Sequence, residues 1–175
     1  MTITELEENL RNLKDKDTYC NLFKEYHSSA KNIREIGLFV AKNNGIWEAS
    51  YVVERGSEEL ACVFYEECNL YEFVYCYFKK VSDVDYWLSD RSEQYFQKLI
   101  KRIKKFKISE SEYSFDGGMS KDCLCVEQKE DAWEVYYSNG IEKVSRGIFY
   151  RKNAAYDFLF YLVMKKHVSM KKHWW

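Results

Sequence analysis

Proline is absent from all 175 residues, where ordinary usage is about 5%. The rigid turn-maker is missing, so turns must rest on glycine, asparagine, aspartate and serine. Histidine occurs only at His27, His167 and His173. Neither GxSxG nor a helix-borne HExxH is present, and neither GxxxxGK[ST] nor GxGxxG occurs. These gaps take away the sequence support for the common nucleophilic, zinc-hydrolase and nucleotide-cradling sites. No run of about 18 apolar residues exists, so no membrane-spanning helix is expected. The opening MTITELEENLRNLKDKD lacks the basic start and apolar middle of a secretory signal, which predicts a cytoplasmic protein. The six cysteines, Cys20, Cys62, Cys68, Cys76, Cys123 and Cys125, are then expected to be reduced.

Aromatic residues are plentiful. They make up 18% of the chain, with 15 tyrosines, within a hydrophobic fraction of 46%. That is ample material for a packed core in one domain, or in two halves sharing a core. Charge is uneven. Residues 1–93 hold 11 basic and 18 acidic side chains, net −7, whereas residues 94–175 hold 16 and 10, net +6. An acidic half of this kind suits a basic partner.

A helical segment is expected over 3–27, with Thr2 or Thr4 as a cap and Glu5, Glu7 and Glu8 at its positive end. IGLFVAK (36–42) and IWEASYVVE (46–54) flank Asn43-Asn44-Gly45, a strong hairpin signal. Arg55-Gly56-Ser57 predicts a second turn and ELACVFYEE (59–67) a third strand. Asn69 is positioned to cap a helix whose Leu70, Phe73, Val74, Tyr77 and Phe78 share one face. The order then recurs. An amphipathic helix is expected over 91–106 and a loop, with room for one short strand, over 109–122. Strands follow at 123–128, 132–138 and 143–151, with Asn139-Gly140 between the last two. Asn153 would cap the final helix.

The two passages match in detail. Val40 precedes Trp47 by seven residues, as Val126 precedes Trp133. Trp47-Glu48 aligns with Trp133-Glu134 and Tyr51 with Tyr137. After one gap, Phe64-Tyr65 aligns with Phe149-Tyr150, Tyr71 with Tyr156, and Phe73 with Phe158. The pattern predicts an α+β fold, a single domain built from an internally duplicated strand–strand–strand–helix unit. The copies span about 36–80 and 123–166, each preceded by a helical segment (3–27 and 91–106). Antiparallel sheets packed with helices would bury Trp47 and Trp133. This duplicated sheet-plus-helix plan is similar to the Whirly single-strand DNA-binding fold.

No catalytic, cofactor or metal site is expected. Cys123 and Cys125 share a strand face, but zinc sites use C-x₂₋₄-C pairs with a second pair downstream. Glu48 and Glu134 read as a solvated strand face. Asp116-Gly117-Gly118 reads as a turn. Two charged surfaces remain. Lys98, Lys101, Arg102, Lys104, Lys105 and Lys107 form a basic run near Tyr95, Phe96 and Phe106. Lys165, Lys166, Lys171, Lys172, Trp174 and Trp175 add to that positive half. Together they could take single-stranded nucleic acid, or form the solvated face of a helix. Glu54, Glu58, Glu59, Glu66 and Glu67 form an acidic set around the third strand of the first unit, with Asp83, Asp85 and Asp90 further on.

WEASYVVERG (47–56), the strand ending in Phe64-Tyr65 and the helix bearing Tyr71 and Phe73 resemble a pattern of small bacterial immunity proteins. These guard a cell against its own polymorphic toxins, including those of contact-dependent growth inhibition. WEVYYSNGIEK (133–143) keeps the tryptophan and tyrosines but has Asn139-Gly140 in place of Glu54-Arg55-Gly56. The resemblance covers about 40 residues in each half. It implies a cytoplasmic, non-enzymatic protein that occludes the active site of one cognate toxin, often a nuclease. Glu54, Glu58, Glu59, Glu66 and Glu67 are then the expected toxin-facing residues. The alternative is a nucleic-acid-binding domain working through 98–107.

Overall fold

The computed structural model describes residues 1–12, 37–52, 58–80 and 93–168. The chain is α+β and divides into two compact units, Met1–Leu88 and Ser89–Trp175. The expected helical segment beyond Asn12, the turn at 55–57 and the terminal tryptophans lie outside the described residues.

The first unit opens with α1 (Ile3–Arg11). Thr2 closes a capping box here. Its Oγ1 accepts from the Glu5 amide at 3.2 Å, and the Glu5 carboxylate accepts from the Thr2 amide at 2.7 Å. Two donors that a helix start leaves open are thereby satisfied. Leu6 and Leu10, one turn apart, are its buried positions.

Strands β1 (Gly37–Asn43) and β2 (Ile46–Val52) pair antiparallel from Gly37↔Val52 to Asn43↔Ile46. The two turn residues, Asn44 and Gly45, have φ of 50 and 85. Left-handed backbone at both positions gives the hairpin turn whose twist suits its strands. β3 (Glu58–Phe64) adds antiparallel to β2, with Trp47 opposite Phe64. Ring pairs tie this sheet to α2 (Glu67–Lys80). Phe64 lies 5.5 Å from Phe73, and Tyr51 lies 6.0 Å from Tyr77. The expected stripe on α2 is buried, and so are Tyr71, Tyr75 and Cys76 outside it. α1 packs against α2 as well, and a helix covered on more than one side is apolar all round.

The second unit begins with α3 (Glu93–Lys105), which buries Phe96, Leu99 and Ile103. A single 3-10 turn (Glu110–Glu112) leads into β4 (Tyr113–Ser114). β5 (Lys121–Lys129), β6 (Ala132–Asn139) and β7 (Lys143–Phe149) follow. β5, β6 and β7 are antiparallel neighbours in that order, and β4 runs parallel to β5 on its other side. Helix α4 (Lys152–His167) packs across β5, β6 and β7 and against α3. Phe96 meets Tyr156 at 4.5 Å and Phe149 meets Phe158 at 5.3 Å.

Both asparagine caps expected from sequence are corrected. α2 starts before Asn69. The Glu66 carbonyl accepts from the amides of Asn69 and Leu70 at 3.1 and 3.3 Å, and Asn69 is buried within the first turn. α4 starts from Arg151 with no side-chain cap, and Asn153 is buried inside it. In each case the strand's exit sets the helix start before the asparagine is reached.

The ladders of the two units run in matching register. Val40 faces Ala49 as Val126 faces Val135, and Trp47 faces Phe64 as Trp133 faces Phe149. Each third strand carries one extra residue at the same place. Consecutive Ala49 and Ser50 pair with Cys62 and Leu60, leaving Ala61 over. Consecutive Val135 and Tyr136 pair with Gly147 and Ser145, leaving Arg146 over. Such bulges bend and twist a strand locally. Burial differs between the copies: Trp47 is buried, whereas Trp133 is only half-buried.

Candidate partner-binding surface

The structure separates the expected acidic set. Glu58 and Glu59 start β3, opposite Val52 and Tyr51. Glu66 and Glu67 lie beyond its far end, at the corner into α2. Six extended steps from Glu59 to Tyr65 cover about 20 Å, at about 3.3 Å each. The set is therefore not one patch. Glu54, Asp83, Asp85 and Asp90 fall outside the described residues.

What remains together is the corner itself. Tyr65 is 55% exposed, and Glu66 and Glu67 follow it, both exposed. Phe64, immediately before, is fully buried, so strand alternation turns Tyr65 outward. The Tyr71 hydroxyl, one helical turn on, donates to the Glu67 carboxylate. Burial first, and this bond second, hold the Tyr71 phenol well above its ordinary range. The bond gives Glu67 a fixed orientation at the positive start of α2. Sequence reasoning grouped the glutamates by proximity along the chain and passed over Tyr65. Its signal was legible as an aromatic at the outward-facing phase of the strand.

The equivalent corner of the second unit has the opposite sign. Tyr150 is 40% exposed, but Arg151 and Lys152 follow it and are half-buried. The Lys152 Nζ sits 5.0 and 5.1 Å from the Phe96 and Tyr156 rings, a contact that occupies the cation within its own unit.

The other singled-out residues fall into place locally. Cys123 and Cys125 do share a strand face, with sulfurs 3.4 Å apart, in a buried cluster with Tyr136. Burial, then the bond to Cys125, pushes the Cys123 thiol up to about 12. A neutral thiol is neither a nucleophile nor a ready metal ligand. Among the described residues no group of three His, Cys, Asp or Glu side chains converges as a metal site. His167 Nε2 and Lys166 Nζ both meet Glu112 Oε2, at 2.9 and 2.8 Å. The Lys166 bond is the main influence holding the Glu112 carboxyl below its usual range. This ties the end of α4 to the turn before β4. The Glu48 carboxylate accepts from the Asn43 side-chain Nδ2 across the first hairpin. Glu134 pairs across strands with Glu127 and Ile148. His27 and His173 lie outside the described residues. No described helix is long and apolar enough to cross a membrane.

On α3 the apolar and basic residues part. Tyr95 donates to buried Asp157 at 2.6 Å, and Phe96 packs on Tyr156. Lys98, Lys101, Arg102, Lys104 and Lys105 are all exposed. Of these, Lys104 pairs with Glu110 at 2.7 Å.

No protein-family model, curated protein or solved structure matches the chain.

Proposed function

We propose that this chain is an immunity protein, one that binds a cognate antibacterial nuclease toxin and blocks its active site without turnover. The observation that carries the reading is the exposed Tyr65-Glu66-Glu67 corner. A nuclease cleft must be basic to hold phosphates, and two adjacent carboxylates offer it the same charge. A tyrosine is a rigid, amphipathic anchor of the kind that dominates protein interfaces. The carboxylates steer encounter and reject partners of the wrong sign. The resemblance of WEASYVVERG and the following strand and helix to immunity proteins supports the same reading. On this reading the protein works in the cytoplasm, with no membrane partner and no cofactor. The matched ladders support taking the two units as copies of one strand–strand–strand–helix plan that diverged at equivalent corners.

The test is capture of partners by the tagged chain from the cells that encode it, beside the double variant Glu66→Lys/Glu67→Lys. The wild type is expected to retain one stoichiometric protein at high salt, and adding it should abolish that protein's nuclease activity. The variant should bind it at least about tenfold more weakly, a cost of roughly 1.4 kcal/mol. Absence of a protein partner, or capture indifferent to the reversal, would overturn the reading.

A further inference from the structure

The outer face of α3 is crowded with charge of one sign. Lys98, Lys101, Arg102 and Lys105 stand at i, i+3, i+4 and i+7, so they share one face over about 10 Å of helix. All four are exposed. Among the described residues no carboxylate pairs with Lys98, Lys101 or Lys105, whereas Lys104 pairs with Glu110. An ordinary surface helix alternates acids and bases at i, i+4, because like charges at that spacing cost about 0.2–0.5 kcal/mol a pair. Here Lys98 opposes Arg102 and Lys101 opposes Lys105. The helix dipole favours cations in the last turn, which accounts for Arg102 and Lys105. It leaves Lys98 and Lys101 without a structural reason.

We propose that this face of α3 binds the phosphate backbone of nucleic acid, independently of base sequence. The cations are mostly lysines. Lysine meets phosphates as a point charge, without the fixed fork by which arginine holds one oxyanion geometry, which suits contacts made along a backbone whatever its sequence. The aromatic side chains that would read bases are committed elsewhere: Tyr95 is bonded to Asp157 and Phe96 is buried against Tyr156. Neither Tyr95 nor Phe96 is thus open as a stacking platform. Four phosphates in register would relieve the like-charge crowding and release their counterions. This face belongs to the second unit and the Tyr65 corner to the first, and its success or failure does not depend on that reading.

The experiment is fluorescence anisotropy of the full chain with a labelled 20-nucleotide oligothymidine and a 20-base-pair duplex, from 50 to 200 mM salt. With four phosphates neutralised, the slope of log K against log salt is expected near about −3 for the single strand and about −3.6 for the duplex. Over this range the affinity should fall by roughly 50-fold and 150-fold respectively. The tighter arm identifies which form is held. In Lys101→Gln/Lys105→Gln the slope should drop by about half, while Lys129→Gln leaves it unchanged. The double variant should melt no lower than wild type, since it loses repulsion. Failure of both probes to bind at 50 mM salt, or an unchanged slope in the double variant, would overturn the proposal. So would tighter binding of a polyglutamate peptide than of either oligonucleotide.

Discussion

Lys79 shows what one side chain can lose by its position. It lies near the end of α2 with its Nζ 5.5 Å from the Tyr75 ring, and burial pushes its ammonium down to about 8 from 10.5. Between those values the unfolded chain holds more protons than the folded one, so stability rises with pH through that window. Below pH 8 both states are protonated and the burial cost is fully present. Lys79→Met should therefore stabilise the protein at pH 7. The side chain is only about half buried, so the gain is about 1 kcal/mol rather than that of the full shift. Urea unfolding of both proteins at pH 7 and pH 9.5 should show the gap shrinking at the higher pH. A constant gap would assign it to packing alone. Residue-level reading of the sequence did well where chemistry is local: Thr2 caps α1 as expected. It failed at Asn69 and Asn153, because a cap depends on where the chain leaves the preceding strand.

Elements were the most legible level. The two Asn-Gly signals mark real hairpin turns, and the alternation and helical periods place β1 to β3, β5 to β7 and the helices α2 to α4 within a few residues. Gly140 illustrates why the turn chemistry is binding. Its φ is 90, and a Cβ there would stand 3.3 Å from the Lys121 Cβ. Gly140→Ala should cost about 1–2 kcal/mol by denaturant unfolding, through backbone strain and contact. A change below about 0.3 kcal/mol would mean that the turn relaxes freely. Periodicity concealed one thing about α2. Its apolar stripe was visible, but the stripe alone does not account for buried Tyr71, Tyr75 and Cys76, and α1 also packs against the helix.

At the scale of the whole molecule, the charge division seen in the sequence becomes two kinds of surface: an acidic corner on the first unit and a basic helix on the second. What sequence could not supply was distance. Glutamates that read as a cluster are held apart by the length of β3. Burial also sorts the thiols. Cys62, Cys76, Cys123 and Cys125 are buried and Cys68 is exposed, and burial raises the Cys62 thiol well above its ordinary value. Iodoacetamide at pH 8, followed by peptide mapping, should modify Cys68 in the native protein and spare the other four until urea unfolds it. Early labelling of Cys123 or Cys125 would mean that the second unit opens locally.

The extra residue in each third strand has a consequence for how these strands tolerate change. Side chains alternate faces with a period of two, so a single inserted residue inverts the phase of everything before it. Leu60 and Phe64, four apart, would share a face in a regular strand; across Ala61 they do not, and Leu60 stands 36% exposed while Phe64 is fully buried. Deleting Ala61 would behave like a frameshift written in geometry. Leu60 would swing toward the core, although the only side chain removed is a methyl group. Insertions and deletions in β3 and β7 should therefore be tolerated only in pairs.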